Sequence, residues 1–174
     1  APPSQRALWQ MQTNWLLTMN PPDHTRLRGL VQKAFTPRAV AQLRATIQRL
    51  TDALIDRMAE KEQVDVIADL AYPLPVAVIC EMLGVPLADQ GRFHAWSAAL
   101  VRSLDLTDEP AVYNRASVAA AEMTAYFDAL LAERRAQPQT DILSALVAAE
   151  EAGDRLTTEE LFGTCALLLV AGHE

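Results

Sequence analysis

The sequence has no run of Lys and Arg and no apolar stretch long enough to cross a membrane, and its first residues lack the charged and apolar regions of a signal peptide. Its formal net charge of -7 and its pI of about 5.0 argue against nucleic acid or an anionic membrane surface as the main partner. The longest apolar run, residues 161–172, falls short of the roughly 20 residues that a spanning helix needs. We therefore expect a cytoplasmic protein whose partners are small molecules or other proteins.

Cysteine is scarce, and neither of the two cysteines lies in a metal-binding or redox pattern. Cys80 and Cys165 stand in separate apolar stretches, without CxxC spacing and without metal-ligand spacing to His24, His94 or His173. This arrangement predicts two buried free thiols in a reducing compartment, and no metal ligand from this chain.

No internal repeat, low-complexity segment or long linker divides the 174 residues, of which 51% are apolar. Residues 1–19 begin with prolines and have weak periodicity, with Trp9, Trp15 and Leu16 as bulky anchors. We interpret them as a connecting segment before a single helical domain over residues 20–174. From Asp23 onward, helical spacing and closely placed turn signals leave little room for strands, which predicts an all-α fold.

The same spacing predicts the individual helices. After the helix that opens near Asp23, it indicates helices over about residues 37–60, 74–83, 88–103 and 110–136. Thr36 before Pro37 is an N-cap signal, and we expect Thr140 to cap a further helix that ends at Gly153. Thr157 and Glu160 have capping-box spacing at the start of the last helix, and Leu156 and Leu161 are placed as a hydrophobic staple.

The stretch NPPDHTRLRGLVQKAF, residues 20–35, places two hydrogen-bond donors one turn apart. At 100° per residue, His24 and Arg28 lie at the edge of an apolar arc, beside Phe35. They also fall in the first two turns, where the helix dipole favours negative charge, so the arrangement suits an anion at the border of an apolar surface. The alternative is structural, with Arg28 paired to an acid of the same chain and His24 an ordinary first-turn residue.

The stretch LLLVAGHE, residues 167–174, ends a helix that is apolar all round and should run through the middle of the molecule. Ala171 and Gly172 remove side-chain bulk at one point, so that something flat can approach the backbone. Glu174 follows on the face of Leu167, Val170 and Ala171, where a buried acid is a candidate for proton transfer. The alternative is a tight helix crossing at Ala171 and Gly172, with a solvated end at His173 and Glu174.

Together the two stretches resemble a known family. PPDHTRLRGLVQKAFTPRAV resembles the helix C segment of bacterial haem-thiolate monooxygenases, the cytochrome P-450 superfamily, and LLLVAGHE resembles the first part of their central helix I. DILSALVAAEEAGDRLTTEEL is similar to the family's passage from helix H to helix I. The resemblance runs in order from the loop before helix C to the middle of helix I. It implies the helical part of that fold, truncated at both ends.

The resemblance also implies roles for individual residues. His24 and Arg28 would bind the propionates of haem (iron protoporphyrin IX). Ala171 and Gly172 would lie over the distal face where O2 binds, and Glu174 would be the acid of the pair that supplies protons during oxygen activation. The residues expected to border a small to medium apolar substrate are Trp15, Leu16, Leu17, Leu167 and Val170.

The family further implies a ferredoxin-like electron donor, for which exposed Arg26 and Lys33 would form the docking surface. The alternative for these two residues is an ordinary solvated face. The thiolate-bearing cysteine loop lies outside the resemblance, so we expect a fragment with no monooxygenase activity alone. We also expect an exposed apolar patch, which predicts self-association or a complementing chain.

Two other classes of protein remain open at this point. One is a helical ligand-binding module, such as the effector domain of a transcriptional regulator, although the acidic chain shows no basic helix-turn-helix. The other is a haem-free interaction module that kept the fold and lost the chemistry.

Overall fold

The computed structural model describes residues 2–105, 107–151 and 156–172, and all regular secondary structure in these ranges is helical, with no β-strand. The predicted all-α class is therefore confirmed. The helices are α1 (Arg6–Gln12), α2 (Asp23–Ala34), α3 (Pro37–Ala59), α4 (Pro73–Met82), α5 (Gln90–Arg102), α6 (Pro110–Ala136), α7 (Ile142–Glu151) and α8 (Thr158–Gly172). Short 3-10 turns precede α1, α2 and α5, and a π-helical turn, Ile67–Ala71, precedes α4.

The last helix, α8, runs through the core as its composition predicts. All residues from Leu161 to Ala166 are buried, and α8 packs against α1, α4, α5 and α6. Apolar side chains around the whole circumference of a helix require such surroundings, because any solvated face would leave apolar area in water. The middle of α8 therefore defines the centre of the molecule.

The longest helix, α6, also packs on this core. It packs against α1 and α5, and its contact with α5 is aromatic, with the ring of Phe93 in α5 5.1 Å from Tyr126 and 5.6 Å from Phe127 in α6, edge to face. Edge-to-face pairs add stabilisation to the apolar area they bury. Its bounds agree with those expected from the sequence.

The first 19 residues contain a helix that the sequence interpretation did not include. Leu8 and Met11 of α1 are buried against α6 and α8, and Trp15 follows at 0% exposure. These three residues have i, i+3 and i+7 spacing, so the helical signal was present but short. Trp9, which we expected to be an anchor, is 57% exposed. The division of the chain into a connecting segment and a domain stays a prediction.

The helix ends show how far local chemistry predicts structure. The Thr36 hydroxyl accepts from the N–H of Ala39 at 3.1 Å, which confirms the predicted cap of α3. The prediction of Thr140 as the cap of α7 is wrong, because Asp141 Oδ1 accepts from the N–H of Ser144 at 2.6 Å. A carboxylate is the stronger acceptor at a positively polarised helix start. Gly153 lies outside the described residues.

Asp141 also belongs to a buried cluster that joins three chain segments. Arg134, 3% exposed, donates through Nε to Asp141 Oδ2 at 2.6 Å and through a terminal nitrogen to the carbonyl of Gly84 at 2.7 Å. Burial alone lowers the pKa of Arg134, but the hydrogen bond and charge of Asp141, together with Glu133, outweigh it and raise that pKa. The cluster fastens the end of α4 and the end of α6 to the start of α7.

None of the helices in the described ranges combines the length and the apolar character that a membrane span requires.

Candidate functional site

The predicted anion site begins on α2, which the structure places at the surface with one face in the core. Leu27 and Leu30 are buried, and α2 packs against α7. His24, in the first turn of α2, is half-buried, and Arg28 is exposed one turn later. The apolar arc therefore faces inward, with the two donors at its edge, as the helical wheel predicts.

The structural alternative for Arg28 finds no support in the residues that the structure describes. Within those ranges, neither the Arg28 nor the His24 side chain has a hydrogen-bond or ion-pair partner in the protein. An accessible pair of donors at a helix start retains its capacity to bind an external anion. The site on α2 thus keeps both of its predicted donors available.

The neighbouring arginine behaves differently. Arg26, which we expected on an exposed docking surface, donates from its guanidinium to Oε1 of Glu160, in the first turn of α8. The Arg26 side chain is 42% exposed, whereas that of Glu160 is only 10% exposed. Lys33, the other residue of the expected surface, is exposed in the last turn of α2. The docking role of both stays a prediction.

At the other end of α8 the helix leaves the core. Val170 is buried and Leu167 half-buried, while Ala171 and Gly172 are exposed. A Cβ added to Gly172 would overlap the Cδ1 of Ile79 in α4. Gly172 therefore serves a close helix crossing, the alternative considered for this pair, and Ala171 lies on the exposed part of the helix. Glu174 and His173 lie outside the described residues.

The segment before α2 supplies the remaining residues expected near a substrate. Trp15 is fully buried, and its indole N–H has no partner within the described residues, whereas Leu16 is half-buried and Leu17 is 70% exposed. The 3-10 turn Leu16–Thr18 contacts both α2 and α8. It thus lies between the two helices that carry the predicted site.

The two halves of the site lie at different points along the length of α8. The N-terminal turn of α2 meets α8 at Glu160, and Ala171 lies eleven residues further, which is about 16 Å along the axis at 1.5 Å per residue. A group that touched both would have to extend beside α8.

Neither cysteine is available as an anionic ligand. Burial, reinforced by the charge of Asp89, raises the pKa of Cys80 to about 12, and burial with the charge of Asp141 raises that of Cys165 to about 12. Both thiols are free and buried within helices, as predicted, and both are protonated at neutral pH.

A separate open cavity of about 700 Å³ lies between α1, α6 and the start of α8. Its lining is mixed, with Met11 and Phe162 as apolar walls and Asp128 and Glu159 among the polar groups. The residues expected near the substrate are not part of its lining.

Comparison with known proteins assigns this arrangement to a family. A cytochrome P450 of Bacillus subtilis is 43% identical over 162 residues, which are 93% of this chain and 39% of that protein. Among solved structures, P450BioI in complex with a hexadec-9Z-enoic acid-ligated acyl carrier protein matches 98% of this chain and 44% of its own, with a TM-score of 0.89 and 36% identity. The myxobacterial CYP267B1 in complex with myristic acid matches 99% and 44%, with a TM-score of 0.84 and 40% identity.

No family model matches the chain. The chain spans about two fifths of the length of the curated relatives it matches. The chain is nevertheless more than 30% identical to these relatives, and its fold agrees with theirs across nearly all of its residues. Both findings indicate the same family. The chain belongs to the bacterial cytochrome P450 family, in which it corresponds to part of the helical region.

Proposed function

We propose that this chain contributes the propionate-binding and distal residues of a haem-dependent monooxygenase that acts on a small to medium apolar substrate. The observation that carries the proposal is the availability of His24 and Arg28, one turn apart at the start of α2, with no partner among the described residues. Membership of a family whose members include named monooxygenases supports the same chemistry. The proposal concerns a protein of which these residues form a part.

The residues of the predicted site suit the carboxylate edge and one face of haem. The two cysteines of the chain do not suit its iron as ligands. Haem carries two carboxylates on an otherwise apolar plate, which suits two donors at the border of an apolar surface. The small side chain of exposed Ala171 does not project far from the end of α8, so a flat group can lie against the helix there. Cys80 and Cys165 are buried and protonated, so a thiolate ligand has to come from another part of the enzyme.

Haem, when bound, supplies the activation of O2, and the chain's own residues create its surroundings. Arg28 and His24 would neutralise and orient the carboxylates. Leu167 and Val170, on the same side of α8 as Ala171, would form an apolar wall that excludes water from the distal side. We assign to Glu174 the delivery of protons at its carboxyl group.

An apolar substrate and an external electron donor complete the proposal. The two structural relatives above are in complex with an acyl carrier protein ligated with hexadec-9Z-enoic acid and with myristic acid, and a fatty acid chain fits the apolar class proposed for this protein. We infer a ferredoxin-like donor with acidic character, to which Lys33, exposed in the last turn of α2, offers positive charge. Arg26 offers less positive charge to such a donor, because its guanidinium already donates a hydrogen bond to the carboxylate of Glu160.

The test is a titration of the purified chain with hemin, followed by Soret absorbance. We expect Arg28→Ala to weaken hemin binding by about tenfold, or about 1.4 kcal/mol, because an ionic hydrogen bond to a carboxylate is lost. Arg44→Ala is the matched control, since Arg44 is exposed on α3 and distant from the site in sequence.

A second probe separates carboxylate recognition from general apolar affinity. Hemin dimethyl ester has no ionised propionates, so its binding should be the same for the parent chain, Arg28→Ala and His24→Ala. If the two substitutions weaken both probes equally, the propionate assignment is wrong. A parent chain that binds neither probe would favour the haem-free interaction module.

A further inference from the structure

One buried acid has no part in the chemistry proposed above. Glu160 is 7% exposed, and its Oε2 accepts from the N–H of Thr157 at 2.8 Å while its own N–H donates to the Thr157 hydroxyl at 3.1 Å. The remaining oxygen, Oε1, accepts from Arg26. The capping box of α8 and the contact with α2 therefore share one carboxylate.

The position of Arg26 in α2 gives that contact a geometric consequence. Arg26 is two residues from His24 and two from Arg28, which at about 100° per residue is about 200° around the helix. Its side chain therefore leaves α2 on the flank opposite the two donors. Holding Arg26 on α8 sets the rotation of α2 about its own axis, and with it the direction of His24 and Arg28.

Because Glu160 is buried, its contact with Arg26 has one fixed geometry. An exposed arginine paired with an exposed acid would exchange among many geometries and add little. Here the acid is held by two hydrogen bonds to Thr157 and by its burial among the apolar residues that begin α8. Arg26 thus binds a carboxylate whose own position is fixed by the core.

We propose that the Arg26–Glu160 ion pair positions α2, so that His24 and Arg28 point to the carboxylates of the bound cofactor. Both members are positioning residues, since they act through α2 and do not touch the cofactor. The inference rests on the proposed function, because it concerns the same donors. It assigns Arg26 a role within the molecule in place of the docking role expected from the sequence.

Glu160→Gln is the variant that isolates the ion pair. Glutamine at this position of a capping box can still accept from the N–H of Thr157, so the start of α8 is retained while the charge is removed. We expect Glu160→Gln and Arg26→Gln each to weaken hemin binding by three- to tenfold and to leave hemin dimethyl ester unchanged. The double variant should be no weaker than the single variants, because the two share one interaction. Arg26→Lys should restore part of the affinity.

Arg49→Gln is the control for a general loss of stability. Arg49 in α3 pairs with Glu81 in α4 at 2.7 Å, so its substitution removes another ion pair between helices, one in which no residue of α2 takes part. We expect its hemin affinity to equal that of the parent chain, with urea unfolding of all haem-free variants measured alongside. Equal hemin affinity in Glu160→Gln and the parent, with Arg28→Ala still impaired, would overturn the inference alone. Unimpaired binding by Arg28→Ala would overturn the proposed function as well.

Discussion

Gly163 of α8 lies against the main chain of Asn14, and a Cβ placed on Gly163 would be 2.5 Å from the Asn14 carbonyl oxygen and 2.8 Å from its carbonyl carbon. The obstacle is backbone, which cannot rotate away. This contact brings the segment after α1 onto the central helix and holds Trp15 in the core. It differs from the crossing at Gly172, where the neighbour is the end of the Ile79 side chain.

Alanine substitution should distinguish these two glycines. We expect Gly163→Ala to lower the free energy of unfolding by about 2 kcal/mol, because overpacking against backbone exceeds the gain in helix propensity. Gly172→Ala should change it by less than about 1 kcal/mol, since Ile79 can adopt another rotamer. Urea unfolding followed by circular dichroism measures both. Equal losses would show that the two crossings are equally rigid.

Removal of Asp141 should be among the most damaging single changes. Its side chain is 6% exposed and compensates the charge of Arg134, which is 3% exposed. We expect Asp141→Ala to cost about 3 kcal/mol or more, because it leaves the buried Arg134 cation with only the exposed Glu133 carboxylate as an ionic partner and leaves α7 uncapped. Asp56→Ala, on the exposed face of α3, is the control and should stay within about 0.5 kcal/mol of the parent. A small loss for Asp141→Ala would mean that water or another acid replaces it.

The buried thiols predict a loss of stability at alkaline pH. Each thiol has a pKa near 9.0 when unfolded and about 12 when folded, with burial as the main cause. A raised folded pKa gives stability that is complete below pH 9 and is lost as pH rises toward 12, by up to about 1.4 kcal/mol per pH unit for each thiol. Unfolding of the parent and of Cys165→Ala, measured between pH 7 and 10.5, should show the shallower slope in the variant. Identical slopes would contradict the assignment.

The cap of α3 should make a modest and separable contribution. Thr36 holds one otherwise unpaired N–H at the start of a 23-residue helix. Thr36→Ala should cost about 1 kcal/mol, and Thr36→Ser should cost much less because serine also caps. Thermal unfolding of the three chains measures the difference. A loss in Thr36→Ser as large as in Thr36→Ala would point to the methyl group and not to the cap.

Helix limits were predictable wherever the signals are local. The Thr36 cap, the capping box of Thr157 and Glu160 and the limits of α6 depend on residues within a few positions of one another. The α1 helix is not predictable in the same way, because its seven residues span too few turns to establish a helical periodicity. Thr140 and Asp141 are adjacent and both are acceptable cap residues, so a local pattern does not separate them, whereas the pairing of Asp141 with Arg134 depends on tertiary packing.

The sequence by itself determined the all-helical class, the central position of α8, the two buried thiols and the placement of His24 and Arg28 on one edge of α2. Each of these follows from composition and from helical periodicity, which are properties of neighbouring residues. Only the tertiary structure decided that Arg26, and not Arg28, forms an ion pair within the described residues, since Arg26 and its partner Glu160 are 134 positions apart. Likewise, only packing revealed that Gly172 accommodates Ile79 of α4 while Ala171 is exposed. Such contacts depend on how the helices assemble, and local sequence patterns carry no record of the partner.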